Sequence, residues 1–369
     1  MKTCSIALLA GMAVCAFVRQ TPAAEMAKYE ENVLYSFCTQ GNCPNGMAPA
    51  AGLIDIKGTL FGTTLKGGVH DLGTVFALDP VTGAETVLHS FGGESDGIAP
   101  WADLIDVTGR LYGTTAAGGS NTNCDSNPGC GTIFALDPRT GTETVLHAFC
   151  TRQDCTDGAY PAASLISMNG VLYGTTSSGG VAGCNGYGCG TVFSIDLKSG
   201  TEKTLYTFCT RTNCADGAGP DGSLIDEKGT LYSTTRFGGA YGEGTVFSLD
   251  PDTGNETALH AFGDSADDGD LPEAGLIDVR GTLYGTTFGG GADDYGTAFA
   301  LDPKSGKERV LYSFCSQSFC PDGDRPQAAL VNVKDELYGT TYYGGNTGDE
   351  NPSCEFIGCG TVFALKKIH

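Results

Sequence analysis

Residues 111–115 read Leu-Tyr-Gly-Thr-Thr, and this phrase, or a close variant of it, recurs at a regular interval along the chain. The six copies centre on Phe61, Tyr112, Tyr173, Tyr232, Tyr284 and Tyr338. They are about 50 to 60 residues apart, which is the length of a propeller blade and longer than most solenoid repeats. The repeat therefore determines the architecture before any single residue is considered. We expect its Tyr or Phe to be buried between blades in all six copies.

Each copy contains four short apolar runs separated by Gly, Pro, Asp and Asn, a pattern typical of strands joined by turns. We label these predicted strands a, b, c and d. In the second copy they are expected at residues 104–107, 111–115, 132–136 and 144–149. The sequence thus predicts an all-β protein built from four-stranded antiparallel blades.

Two of the four connections are nearly invariant. The a–b turn ends in glycine, which supplies the positive φ of a two-residue hairpin, except in the last copy, where Lys334, Asp335 and Glu336 replace it. The c–d turn reads Asp-Pro-x-Thr-Gly-x-Glu, as in residues 137–143 of the second copy. The b–c and d–a loops vary in length and composition. An up-and-down blade places these loops on one face, here called the variable face.

The strand count predicts how the ring closes. The pattern begins with an isolated d strand at 33–37 and stops after the sixth c strand at 361–365. An N-terminal strand beside the last c strand would complete six four-stranded blades. We therefore expect one six-bladed β-propeller over residues 25–369, rather than two domains.

The repeated phrases carry a family resemblance. Gly-Thr-Leu-Tyr-Gly-Thr-Thr at 281–287, Gly-Thr-Val-Phe-Ala-Leu-Asp-Pro at 73–80 and Glu-Thr-Val-Leu-His-Ser-Phe at 85–91 resemble the GloVer (Gloeo-Verruco) tandem repeat of bacterial exported proteins. The resemblance implies an extracytoplasmic location and no established activity. The strand order is also similar to that of kelch propellers, although the kelch Trp after the c–d turn is absent.

The N-terminus and the charge restrict location and partners. Lys2, an apolar stretch over 6–18 and small residues up to Ala24 predict a secretory signal at 1–24, and no other segment is long and apolar enough to span a membrane. The formal net charge of −22 makes nucleic acid a poor partner. We expect a soluble, secreted or periplasmic monomer.

The chain has 16 cysteines, and those beyond the predicted signal fall into close pairs on the variable face. In an exported chain, such pairs predict disulfides. Crossed pairing stays open in blades 2, 3 and 6, where two pairs share a blade, and the spacing is not that of a zinc ribbon. The simplest pairing is Cys38 with Cys43, Cys124 with Cys130, Cys150 with Cys155, Cys184 with Cys189, Cys209 with Cys214, Cys315 with Cys320, and Cys354 with Cys359.

No local catalytic motif is visible. His89, His147 and His260 occupy a d-strand position where other copies have Tyr, which indicates packing rather than catalysis. Asp residues that end strand a, such as Asp106, are interpreted as turn caps. Function is therefore sought where the repeats differ.

Three asymmetries supply candidates. The first, at the inner end of strand a, could bind a sugar or small polar ligand: Trp101, Asp103, Asp221, Glu273 and Gln327. The second places larger side chains after Thr-Thr in blades 4 to 6: Arg236, Phe237, Phe288, Tyr342 and Tyr343. The third is an acidic loop that makes calcium a possible cofactor: Asp264, Asp267, Asp268 and Asp270. All these residues could equally be solvated rim or loop-packing residues.

Two functions fit this pattern. The first is a non-enzymatic propeller that binds carbohydrate or protein through its variable face. The second is a glycan-active hydrolase or lyase with carboxylates at the channel mouth, such as Asp103, Asp221 and Glu273. An enzyme requires those carboxylates to converge, whereas a binding module requires Trp101, Phe237 and Tyr343 to be accessible.

Overall fold

The computed structural model describes residues 32–93, 95–120, 124, 129–180, 183–184, 187–345 and 358–366. The compact unit that carries the repeats covers residues 35–369. The predicted signal at 1–24 lies outside the described residues, so it stays a prediction.

All six copies have the predicted strand order. Strand a is Ile54–Ile56, Ile105–Val107, Ile166–Met168, Ile225–Glu227, Ile277–Val279 and Val331–Val333. Strand b is Thr59–Thr64, Arg110–Thr115, Val171–Thr176, Thr230–Thr235, Thr282–Thr287 and Glu336–Thr341. Strand c is Thr74–Leu78, Thr132–Asp137, Thr191–Asp196, Thr245–Leu249, Thr297–Asp302 and Thr361–Leu365. Strand d is Glu85–Ser90, Thr142–Ala148, Glu202–Thr207, Glu256–Ala261 and Lys307–Ser313.

These strands form a six-bladed β-propeller, which confirms the predicted fold class. Blades 1 to 5 are antiparallel sheets in the order a-b-c-d, and the strands a–c of blade 6 form a three-stranded sheet. A two-residue pair, Gly269–Asp270 with Gly289–Gly290, and two short 3₁₀ turns, Gln153–Cys155 and Thr212–Cys214, lie in the loops. The described part of the chain has no α-helix.

The a–b turns have the backbone conformation that the sequence predicts. In blade 2, Thr108 and Gly109 both have positive φ, at 56° and 85°. In blade 6, Lys334 and Asp335 adopt the same conformation without glycine, at 53° and 68°. The Asp that ends strand a caps the turn, because the Gly109 N–H donates to Asp106 Oδ1 at 2.8 Å. The interpretation of these Asp residues as caps is therefore confirmed.

Phenylalanines fill the seams between blades. Phe91, just after strand d of blade 1, packs edge-on against Phe134 in strand c of blade 2, with ring centroids 5.3 Å apart. Both side chains are fully buried. The same contact recurs around the ring, in Phe37–Phe76, Phe149–Phe193, Phe208–Phe247, Phe262–Phe299 and Phe314–Phe363. Neighbouring blades are thus joined by one repeated aromatic pair.

The aromatic residue of the Leu-Tyr-Gly-Thr-Thr phrase is less buried than expected. Phe61 and Tyr112 are buried, but Tyr173, Tyr284 and Tyr338 are half-buried, as is the equivalent residue of blade 4. The expectation of burial in all six copies is therefore wrong. The c-strand and d-strand phenylalanines fill the seam instead.

The junction between blades 6 and 1 contains only part of this packing. Phe37 lies against Phe76 as a d-strand residue does at every other seam. Leu53 and Val362, however, are 52% and 80% exposed, whereas their equivalents Leu104 and Ile133 are buried. No ladder joins residues 33–37 to strand c of blade 6 among the described strand pairs, so the completing strand stays a prediction.

Disulfides staple the variable face with the local pairing predicted. The described residues form Cys38–Cys43, Cys124–Cys130, Cys150–Cys155, Cys184–Cys189, Cys209–Cys214 and Cys315–Cys320. The predicted partner of Cys359, at position 354, lies outside the described residues. Loops of this length contribute at most about 2 to 3 kcal/mol each in the chain-entropy model, so their main effect is to stiffen the loops.

Two glycines of blade 2 should respond differently to substitution. Gly109 has open space where a Cβ would lie, so Gly109→Ala should lower the free energy of unfolding by about 1 kcal/mol through its positive φ alone. At Gly131 a Cβ would lie 2.5 Å from the Thr115 carbonyl oxygen and from Pro161, so Gly131→Ala should cost about 3 kcal/mol or more. Urea unfolding of both variants measures the difference, and equal losses would contradict the assigned close packing.

Candidate functional site

Hydrogen bonds link the segments that precede strand a in blades 1 to 4. The Gly52 N–H donates to Asp103 Oδ1, the Asp103 N–H to Ser164 Oγ at 3.1 Å, and the Ser164 N–H to Ser223 Oγ at 3.1 Å. Each bond joins the segment just before strand a of one blade to the same segment of the next. The carboxylate of Asp103, one of the predicted site residues, is therefore used to hold the neighbouring backbone. Trp101, close to it in the chain, is 55% exposed.

Blade 4 departs from this symmetry in its interior. Ser233 stands where the other copies of the phrase have glycine, and Gly222 stands where the other blades have alanine. The Ser233 hydroxyl donates to the Gly222 carbonyl at 2.8 Å, and a Cβ on Gly222 would lie 3.0 Å from Ser233 Oγ. The two changes compensate each other. This pair was not predicted, although the variant phrase Leu-Tyr-Ser-Thr-Thr at 231–235 is a signal for it.

A chain of polar side chains crosses blades 4 to 6 beside this exchange. Arg236 lies 2.9 Å from Glu273 Oε1, and Gln327 Nε2 donates to Glu273 Oε2 at 3.0 Å. Burial raises the pKa of Asp221 to about 6, where the Arg236 guanidinium opposes the shift and Glu273 adds to it. Four predicted candidates from two different repeat positions therefore act on one another.

Aromatic side chains flank this polar chain. The Arg236 guanidinium lies 5.1 Å from the ring of Phe237, which is 47% exposed. The Arg325 guanidinium lies 4.8 Å from the ring of Phe288. The sequence predicted the two rings but not Arg325, whose only signal was its place two residues before Gln327.

Blade 6 extends the aromatic surface. The Tyr342 N–H donates to the Arg325 carbonyl at 3.1 Å, and the Tyr342 and Tyr343 rings meet edge-on at 4.6 Å. Tyr342 is 58% exposed and Tyr343 is half-buried. We call Asp221, Arg236, Phe237, Glu273, Phe288, Arg325, Gln327, Tyr342 and Tyr343 the blade 4–6 surface.

An open cavity of about 720 Å³ adjoins this surface. Its lining includes Tyr295, Gln317, Phe319 and Asp324. The Asp324 carboxylate lies 3.4 Å from Arg325 Nε, which links the cavity to the aromatic cluster. Aromatic rings, an amide and a carboxylate thus surround a space large enough for a small polar ligand.

The acidic loop does not gather its carboxylates around one point. Asp264 and Asp267 are exposed, whereas Asp268 is buried and accepts hydrogen bonds from the Gly263 and Gly269 N–H groups, both at 2.8 Å. The Asp270 carboxyl has a pKa raised to about 6 by burial and by Asp294, among other nearby carboxylates. Calcium binding by the four Asp residues stays a prediction.

The d-strand position shared by His and Tyr is polar as well as packed. His89 contacts Phe91 edge-on at 4.9 Å, and its Nε2 lies 3.1 Å from Asp96 in the following loop. In blade 3, the Tyr206 hydroxyl donates to Asp216 at 2.8 Å. The interpretation of this His or Tyr position as packing was therefore incomplete. The sequence does not indicate which loop residue contacts the His or Tyr side chain.

These features define a class: a β-propeller with disulfide-bonded loops. Its repeated positions build the blades, and several of its unequal positions contact one another across blades 4 to 6. The family model described as the Gloeobacter/Verrucomicrobia repeat matches residues 23–218 and 180–367. The chain belongs to this repeat family, which confirms the predicted resemblance.

Solved structures with a related architecture are distant. A chain of a nidogen–laminin complex is 16% identical with a TM-score of 0.43, over 77% of this chain and 85% of that one. A luciferin-regenerating enzyme is 15% identical with a TM-score of 0.49, over 88% and 92%. TolB from Acinetobacter baumannii is 14% identical with a TM-score of 0.39, over 68% and 50%. Such similarity carries no argument about activity.

No curated protein matches the chain. Within the described residues, no helix has the length and hydrophobicity that a bilayer span requires.

The half-buried carboxyl of Asp221 gives a pH prediction. Because the pKa of Asp221 is raised to about 6 from 3.8, the stability that its neutral form provides at low pH is lost as the pH rises through 6. Asp221→Asn cannot ionise, so its stability relative to the native protein should increase from about pH 4 and level off above about pH 6, by at most about 3 kcal/mol. Urea unfolding across this pH range measures the effect. Parallel curves would contradict the raised pKa.

Proposed function

We propose that this protein is an exported, non-enzymatic propeller that binds carbohydrate through the blade 4–6 surface. The observation that carries the proposal is the exposure of Phe237 and Tyr342 beside the Arg236–Glu273–Gln327 chain. Sugar rings stack on exposed aromatic faces, and their hydroxyls pair with charged and amide side chains. Both kinds of group are present here on neighbouring blades.

The stiffness of this region supports binding without a large ordering cost. Glu273 is held by two partners, and its side chain is only 16% exposed. The Cys315–Cys320 disulfide anchors the loop that lines the adjoining cavity. Groups fixed before the ligand arrives lose less conformational entropy on binding, which favours affinity.

Export is supported by the disulfides and by the predicted signal. Disulfides persist in oxidising compartments, so six of them among the described residues favour a secreted or periplasmic location. The net charge of −22 argues against nucleic acid as a ligand. The proposed surface lies within one chain, so we expect a monomer to bind.

A second function is favoured by one observation. The raised pKa of Asp221, at about 6, beside Glu273, which Arg236 holds in an ion pair, places a protonatable and an ionised carboxyl in one cluster. Glycan-active hydrolases and lyases use carboxyls in these two states. Asp103, in contrast, is bound to the Gly52 backbone, which argues against a third catalytic role for it.

Glycan-array screening of the mature protein tests the binding proposal. Phe237→Ala and Tyr342→Ala should each weaken binding of the selected glycan about tenfold, because each stacking contact contributes about 1 to 2 kcal/mol. Tyr187→Ala is the matched control, since Tyr187 is 55% exposed in the b–c loop of blade 3. Equal losses in all three variants, or capture of a protein ligand through Phe237 with no glycan bound, would overturn the carbohydrate proposal.

Incubation with the selected glycan separates binding from catalysis. We expect the glycan to be recovered intact by mass spectrometry after prolonged incubation with native protein. Cleavage that Asp221→Asn abolishes while binding persists would establish the enzyme instead.

A further inference from the structure

The same three kinds of polar side chain meet at each seam between two blades whose d strands are both described. The set combines the His or Tyr of strand d, an Asp or Asn from the following d–a loop, and the Glu near the start of the next blade's strand d. At the seam between blades 1 and 2 these are His89, Asp96 and Glu143, and at the seam between blades 4 and 5 they are His260, Asp268 and Glu308. In both sets one ligand-type atom from each residue lies within 4.8 Å of the others.

At the blade 2–3 and blade 3–4 seams, the equivalent set includes the positive charge of an arginine. Between blades 2 and 3, the Arg152 guanidinium lies 2.6 Å from Glu202, whose side chain is 2% exposed. Between blades 3 and 4, the Arg211 guanidinium lies 2.9 Å from Glu256, whose side chain is fully buried. A buried carboxylate beside a second carboxylate requires a compensating positive charge, and in these two seams Arg supplies it.

The d–a loops of the His89 and His260 sets supply no such arginine, although Arg110 and Arg309 lie close enough to interact electrostatically with Glu143 and Glu308. Arg152 and Arg211 both come from disulfide-bonded d–a loops, whereas the loops after His89 and His260 contain no cysteine and no basic residue. Glu143 Oε1 and Glu308 Oε1 are buried without a hydrogen-bond partner, as are Glu85 Oε1 and both carboxylate oxygens of Glu256 at other seams.

The imidazole and the Asp carboxylate of each set face one another, and backbone N–H groups hold the carboxylate in place. His89 Nε2 faces Asp96 at 3.1 Å, and the Gly92 N–H donates to Asp96 Oδ2 at 2.7 Å. His260 Nε2 faces Asp268 at 3.3 Å, and the Gly263 N–H donates to the same carboxylate. Backbone donors that fix a carboxylate while leaving it near an imidazole nitrogen are typical of the outer shell of bound metals.

We propose that the His89–Asp96–Glu143 and His260–Asp268–Glu308 sets each bind one divalent transition-metal ion, for which Zn²⁺ is the probe. One imidazole and two carboxylates suit such ions, whereas calcium prefers oxygen ligands only. A divalent ion compensates the two carboxylates, as Arg152 and Arg211 compensate theirs. It also links the loop and d strand of one blade to the d strand of the next, at two seams whose d–a loops have no disulfide.

Metal stoichiometry tests this proposal directly. The mature, tag-free protein with its disulfides intact is stripped with chelator, dialysed against micromolar Zn²⁺ and measured by inductively coupled plasma mass spectrometry. We expect two zinc ions per chain. His89→Ala or Glu143→Gln should leave one, as should His260→Ala or Glu308→Gln, and the His89→Ala/His260→Ala double variant should leave none.

The Arg-containing seam supplies the matched control. His147→Ala and Glu202→Gln alter the equivalent set between blades 2 and 3, which has Arg152 in place, and should leave two zinc ions bound. Zn²⁺ should also raise the unfolding temperature of the native protein but not that of the double variant, because a ligand of the folded state stabilises it by mass action. Zinc content that is absent in the native protein, or that does not change in the His89 and His260 variants, would overturn the proposal.

Discussion

The phenylalanine just after strand d of one blade packs edge-on against the phenylalanine in strand c of the next blade. The other regularities of the repeat depend on this contact. At the blade 1–2 seam, the terminal carbon of Phe134 lies 2.7 Å from where a Cβ on Gly113 would be, so glycine at this position leaves room for the ring, whereas blade 4 accommodates Ser233 there. A pair of this kind contributes about 0.5 to 1.5 kcal/mol beyond its buried area. Repeated around the ring, it joins sheets that share no backbone ladder.

Much of the fold could be predicted because its determinants are local and repeated. The positive φ of a two-residue turn and the spacing of apolar runs depend on neighbours in sequence, so a–b turns and strand bounds were predicted to within a few residues. The burial of Tyr173, Tyr284 and Tyr338 was predicted wrongly, because it depends on which side chain of the adjacent blade faces them. Periodicity along one strand carries no such information.

The sequence could identify several residues of the candidate site but not the contacts between them. Comparing the copies identified Arg236, Glu273 and Gln327 as unequal positions, and the structure places them in one hydrogen-bonded chain. It also separates Asp103 from that chain by giving its carboxylate to the Gly52 N–H. The pairing of Ser233 with Gly222 was not predicted, because each substitution is small and the two residues are 11 positions apart in the sequence.

The polar sets at the seams have a consequence for how the chain sorts its blades while folding. Phenylalanine pairs are alike at every seam, so apolar packing does not distinguish a correct neighbour from an incorrect one. The polar sets do differ, since Glu202 pairs with Arg152 from the loop at its own seam, whereas the loop after His89 contains no arginine to pair with Glu143. A blade docked out of order would leave a buried carboxylate without its cation, a penalty of about 3 to 5 kcal/mol. The Arg152–Glu202 ion pair therefore makes the native neighbour energetically distinguishable at a seam where the phenylalanine pair does not.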